Sequence, residues 1–182
     1  MRKLVAILSL AALGLGAQAA AAQGFSYNLI EGSLISGDDY DGFGVAGSYA
    51  FTSEIFGLGS IDALEIDGSG TDVSILSLGA GYRIAINQQV DVFGTASLKR
   101  AKIDGGGSDT GFGLGVGVRG RPVAQLELHG GLEYVDYDES DTALRFGGRW
   151  YFTPNFAAGA DYHDDDGGSA LRFVVRYDFG RR

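Results

Sequence analysis

From Phe25 to the C-terminal end, apolar residues recur at every second position, not on the period of about 3.6 that marks a helix. Val90, Val92, Ala96 and Leu98 share one face, while Asp91, Thr95, Ser97 and Lys99 share the other. Leu126, Leu128, Leu132 and Tyr134 alternate with Gln125, Glu127, His129 and Glu133. Leu144, Phe146, Trp150 and Phe152 alternate with Arg145 and Arg149, and Leu171, Phe173, Val175, Tyr177 and Phe179 with Arg172, Arg176 and Asp178. The pattern predicts ten strands, near 25–35, 43–51, 55–66, 71–86, 90–103, 111–120, 124–136, 142–152, 156–163 and 169–179. Most reach the 9–11 residues, roughly, that a tilted strand needs to cross a bilayer. In the first and third, Glu31 and Asp62 interrupt the apolar face in one register.

The connections alternate in kind. The odd ones are acidic and mostly glycine-rich: 36–42, 67–70, 104–110, 137–141 and 164–168. The even ones, 52–54, 87–89, 121–123 and 153–155, are short and hold both prolines, Pro122 and Pro154. In an up-and-down barrel, odd and even connections lie at opposite ends. One rim is then acidic and the other tight, the arrangement of outer-membrane barrels with outer loops and periplasmic turns. An even strand number puts both chain ends on the tight side. The fold class expected is all-β: a transmembrane antiparallel up-and-down barrel of about ten strands.

Residues 1–22 read as a secretory signal: Arg2 and Lys3, an apolar run from Leu4 to Gly16, then small residues through Ala22. The barrel domain is assigned to 23–182. Losing Arg2 and Lys3 takes the formal charge from −9 to −11, which argues against nucleic acid. There is no cysteine to staple an exported domain, so strand closure in lipid must hold it. Thirty-one glycines beside nine Tyr and eleven Phe suit curved, closely packed strands, not a disordered linker.

Alternation alone leaves open which face meets the outside. Three features favour an apolar exterior. Aromatics collect near strand ends on the apolar face, among them Phe43, Tyr49, Phe51, Tyr82, Trp150, Phe156 and Phe179. The polar face carries Arg83, Lys99, Arg119, Glu127, Glu133, Arg145, Arg149, Asp161, Arg172 and Arg176, the candidate lumen residues. Gly111, Gly113, Gly115 and Gly117 share that face and leave room for long arginines to cross. A soluble periplasmic ligand-binding barrel, with its apolar face inside, is the alternative. The last strand has the alternating aromatics of a barrel-assembly signal, so the barrel-assembly machinery is an expected partner. It departs from the usual ending in that Gly180, Arg181 and Arg182 follow Phe179.

Gly24-Phe25-Ser26-Tyr27-Asn28-Leu29-Ile30-Glu31-Gly32 resembles the first strand of the small Ax-type outer-membrane barrels of gamma-proteobacteria. Asp41 to Ser48, Gly79 to Tyr82, Gly115 to Gly120 and Gly130 to Tyr134 resemble them too, as they do OmpX- and opacity-like small barrels more broadly. The resemblance implies a small outer-membrane barrel without a settled biochemical activity and without known catalytic residues, and no site is carried over from it.

Three chemistries remain to be weighed. Asp38, Asp39 and Asp41, then Asp136, Asp138, Glu139 and Asp141, then Asp164, Asp165 and Asp166 offer oxygen ligands for divalent cations that would bridge to lipopolysaccharide phosphates. None matches an EF-hand spacing, and solvated acidic loops are the plainer reading. His163 and His129 have acids nearby, as an enzyme acting on lipid A or peptides would need. No serine has a nucleophile-elbow context, so no enzyme is expected. The inward arginines would either line an anion-favouring pore or pair with Glu127, Glu133 and Asp161 into a plug. A narrow, largely filled lumen is expected, because ten strands enclose little more than the eight that side chains fill. No motif asks for a cofactor. Outer-membrane lipid and lipopolysaccharide are the remaining expected partners.

Overall fold

A computed structural model describes residues 24–180; the signal segment lies outside them. The described chain forms ten strands: β1 (Leu29–Gly37), β2 (Tyr40–Ala50), β3 (Ile55–Ile66), β4 (Thr71–Asn87), β5 (Val90–Ile103), β6 (Ser108–Val123), β7 (Leu126–Asp136), β8 (Ser140–Tyr151), β9 (Phe156–Asp165) and β10 (Gly168–Asp178). Each pairs antiparallel with its sequence neighbours. β1 pairs with β10 from Leu29↔Asp178 to Gly37↔Ala170, and the sheet closes into a barrel. Closure leaves no open edge, so the strand backbones satisfy one another without water, the condition for crossing hydrocarbon.

The apolar face points out. Leu78, Leu98 and Phe51 are 70%, 68% and 67% exposed, whereas Glu127 and Asp178 are fully buried. A water-soluble barrel reverses this, so the periplasmic ligand-binding alternative fails on side-chain direction. Tilted aromatic pairs stand at both ends of the outer wall. Phe112–Tyr134 and Phe146–Tyr162 lie towards the acidic rim, and Phe156–Tyr177 towards the tight one, with ring centroids 6.1, 5.1 and 4.8 Å apart. These are amphipathic belts at the two interfaces.

The rims differ from expectation in length but not in chemistry. Four acidic connections shrink, to 38–39, 104–107, 137–139 and 166–167, while 67–70 keeps its expected bounds, and none is longer than the longest of the opposite turns. Glycine shapes some of these turns: Gly68, Gly70 and Gly105 have positive φ, the left-handed conformation that a tight turn between long strands requires, and Gly168 opens β10 with positive φ. The ladder therefore runs on through residues a looser count assigns to loops. β6 extends to Val123, and its register shifts between Gly120 and Val123, around Pro122, which has no N–H to donate.

The first strand begins later than the alternation suggests, at Leu29 instead of residue 25. Residues 25–27 turn into the barrel: Phe25, Ser26 and Tyr27 are all buried. Asn28 holds the corner. Its side-chain oxygen accepts the Ala50 N–H at 2.7 Å, and its carbonyl accepts the Phe179 N–H at 3.0 Å. The Ser48 hydroxyl donates to the Tyr27 carbonyl at 2.8 Å. Both ends of the described segment sit at the tight-turn rim.

Candidate functional site

The site is the lumen, and alternation builds it: every second residue of each strand projects inward. Arg83, Lys99, Arg119, Glu127, Glu133, Arg145, Arg149, Asp161, Arg172 and Arg176 all take inward positions and fall into two tiers.

The lower tier, near the tight turns, centres on Glu127. Its Oε1 accepts from Arg119 Nη2 at 2.7 Å and Arg176 Nη1 at 2.8 Å, and its Oε2 from Arg121 Nη2 at 3.0 Å. The Tyr151 hydroxyl lies 3.3 Å from Oε2. Arg176 also reaches Glu31 at 2.8 Å; Glu31 accepts from Arg149 at 3.1 Å; Arg149 Nη2 reaches Asp161 Oδ2 at 2.7 Å. His129 Nε2 lies 3.0 Å from Asp161 Oδ1. One connected network thus spans β1, β6, β7, β8, β9 and β10.

The upper tier is wetter. Lys99 and Arg145 both pair with Glu133, at 2.6 and 2.8 Å. Arg145 Nε donates to His163 Nδ1 at 3.0 Å, and His163 Nε2 meets Asp165 at 2.7 Å. Arg172 grips Asp62 through two bonds of 2.8 and 3.1 Å. Glu31 and Asp62, which spoil the apolar face in sequence, therefore stand inward as partners for arginine.

Aromatic side chains close the lower mouth. Phe25, Tyr27 and Phe56 form a buried cluster backed by Phe93, with Tyr27 and Phe56 ring centroids 4.4 Å apart. Arg119 stacks 5.1 Å from the Phe25 centroid and 4.7 Å from that of Tyr27, and Arg83 lies 5.0 Å from Tyr27. Desolvated guanidinium–ring contacts of this kind are worth about 2 kcal/mol or more. Arg119 and Arg83 also donate to the Ser26 and Phe25 carbonyls, at 3.3 and 3.4 Å. Glycines make the room. A Cβ on Gly117 would stand 2.5 Å from the Phe93 ring, and one on Gly113 within 3.0 Å of Lys99, Ser97 and Glu133.

Sequence reasoning missed the inward Phe25, Tyr27, Phe56 and Phe93, because apolar residues on a polar face look like register noise. It also missed Arg121, read as part of a turn; its spacing of two from Arg119 was the available signal. Neither histidine stands beside a serine hydroxyl in the hydrogen bonds described, and both are engaged with Asp161, Arg145 or Asp165. Among the described residues, no group of three or more His, Cys, Asp or Glu is arranged to hold a metal ion, the acidic rim included.

Residues 6–179 match the family model described as outer membrane protein beta-barrel domain. The chain belongs to that family. Its barrel is similar to the solved KdgM porin, with a TM-score of 0.52 at 11% identity over 83% of this chain and 99% of that one. It is also similar to the NanC porin, with a TM-score of 0.54 at 8% identity over 82% of this chain and 98% of that one. At such identities the likeness shows the fold alone. No curated protein matches the chain. Fold, family and apolar exterior together make this an integral outer-membrane barrel.

Proposed function

We propose that the protein is a closed structural barrel of the outer membrane, presenting a short acidic rim to the cell surface, and not an open porin. The observation that carries this reading is that every lumen cation has an anion. Arg83 pairs with Asp91, Lys99 and Arg145 with Glu133, Arg119 and Arg121 with Glu127, Arg149 and Arg176 with Glu31, and Arg172 with Asp62. A pore selective for anions needs cations that a passing ion can borrow. Here a solute would have to break existing pairs, several at once, and those around Glu127 are already desolvated. The aromatic stopper at the lower mouth acts in the same sense.

The residue likeness stated above supports placing the chain among the small Ax-type barrels within this family. Turnover is not part of the proposal: His163 uses both ring nitrogens on Arg145 and Asp165, and His129 faces a carboxylate already held by Arg149. Planar-bilayer recording of the purified protein tests the reading. Rare, small steps are expected. Stable openings of ordinary porin size in every insertion would end it.

A further inference from the structure

Ten Lys and Arg residues lie within the described chain, and eight of them face the lumen. The two exceptions, Arg100 and Lys102, stand together on the outer wall of β5. Both are exposed, and neither takes part in an ion pair among the described residues; Arg100 Nη2 reaches only the Ser108 hydroxyl, at 3.2 Å. They sit on the acidic-rim half of the strand, where Lys102 pairs with Ser74 and Ser108 and Arg100 with Leu76 and Thr110. Asp72 stands near them on β4, and farther round the outer face of that rim shows Asp41, Glu65, Asp136 and Asp164. An isolated basic spot on an otherwise acidic rim concentrates anion binding at one place.

Directly beneath it the wall dips into a shallow, open recess. Ala80 pairs with Ala96, and these small side chains floor the recess, edged by Leu78, Leu98, Phe112 and Leu114. Leu98 is one inside–outside repeat below Arg100. Two residues of strand rise is roughly 6.7 Å, so the cations and the hollow belong to one vertical stripe. Phe112, paired with Leu98, is part of the upper aromatic belt, which puts Arg100 and Lys102 at headgroup level and the hollow among the acyl chains.

We propose that this stripe on β4–β6 holds one molecule of a phosphorylated outer-leaflet glycolipid of the lipid A class. Arg100 and Lys102 take the phosphate, and one saturated acyl chain lies over Ala80 and Ala96. Charge complementarity chooses an anion, and the hollow chooses a lipid over a free phosphate. The acidic rim is taken as the outer one because both ends of the described segment lie on the opposite, tight-turn side, as in outer-membrane barrels with short periplasmic turns, so the lipid comes from the outer leaflet. The site is independent of whether the lumen conducts.

The test uses the processed, folded protein in detergent, with native mass spectrometry reporting the fraction that retains added lipid A. Heat-modifiable migration on gels confirms folding of each variant. The wild type should retain one lipid A per barrel. Arg100→Gln with Lys102→Gln should weaken retention about tenfold or more, as should removal of the lipid A phosphates, since charge-assisted bonds are the stronger class. Ala80→Leu with Ala96→Leu, which fills the hollow and leaves both cations, should weaken it as well. Equal retention of dephosphorylated lipid A, or full retention by the Gln pair, would overturn the proposal. So would a dimer that persists in lipid-free detergent and is lost with the Leu pair, because the hollow would then be a contact between two copies.

Discussion

Arg176 on β10 reaches across the lumen to Glu127 on β7, 2.8 Å from Nη1 to Oε1, with two strands of the wall between them. The same guanidinium holds Glu31 through Nε, so one side chain ties three strands of a closed sheet. Glu127 is fully buried and answers three guanidiniums. Replacing it with Ala leaves like charges facing each other in a dry interior. Glu127→Ala should cost about 3–5 kcal/mol, the range for removing one partner of a buried pair. Glu127→Gln, which keeps an acceptor but no charge, should cost less. Urea unfolding of the barrel in lipid vesicles reads both. Equal midpoints for wild type and Glu127→Ala would show that the network carries no stability.

The aromatic stopper makes a separable prediction. Phe25 and Tyr27 contribute no strand pairing, yet they fill the lower mouth beneath Arg83, Arg119 and Arg121. Phe25→Ala with Tyr27→Ala should leave the barrel folded, by heat-modifiable migration, and raise its single-channel conductance. A folded double variant with wild-type conductance would place the barrier in the Glu127 network alone.

These two features mark what the sequence could and could not disclose. Strand number, order and the inward direction of arginines followed from a period of two, since each apolar position commits its neighbours to opposite faces. Glu127, Glu133 and Asp161 were legible as acids that meet arginine, but which arginine meets which, and the roles of Glu31 and Asp62, did not follow. Glu31 meets Arg176 across 145 residues of chain, and only closure of the sheet brings them together. Glu31 and Asp62 looked like faults in the apolar face until the register turned them inward, where guanidiniums needed them. Phe25 and Tyr27 looked like the start of a strand because alternation cannot tell a rung of the ladder from a segment that folds under it.

At the acidic rim, Asp38 accepts both the backbone N–H and the hydroxyl of Ser169, at 2.9 and 3.0 Å. Those hydrogen bonds favour the carboxylate and hold the Asp38 pKa below its ordinary value. A depressed carboxyl stabilises the folded form above its unfolded pKa, and that support is lost as pH falls through the folded one. The β1–β2 turn should therefore stay docked on β10 at neutral pH and loosen only at acidity below the usual Asp range, roughly pH 3.9. The Ser169 amide signal in micelle NMR should titrate with such a midpoint. Asp38→Asn should remove the titration; an Asn variant with the same midpoint would mean another acid controls it.

Space between strands is equally specific. A Cβ on Gly159 of β9 would stand within bonding distance of the Gly148 carbonyl on β8, and no side chain there can swing away. A Cβ on Gly32 meets nothing within 4 Å. Gly159→Ala should destabilise the barrel by about 1–3 kcal/mol through overpacking, while Gly32→Ala stays near wild type. Paired unfolding midpoints measure the difference, and equal values would mean that the β8–β9 spacing adjusts freely.

The outward apolar face carries the last prediction, because it separates a lipid-facing wall from a surface covered by protein. Val116 lies near the middle of β6, exposed, and pairs with Gly94 on one side and Leu132 on the other. If hydrocarbon meets it, a charge there has no water within reach. Val116→Arg should cost about 2–4 kcal/mol, the depth-dependent value for a barrel midplane. Val116→Phe, larger but apolar, should be tolerated in a fluid lipid environment that has no packed neighbour to displace. The contrast is read in vesicles, where the hydrocarbon is present. Should Phe prove as damaging as Arg, steric packing against another protein surface, not solvation by lipid, would govern that position.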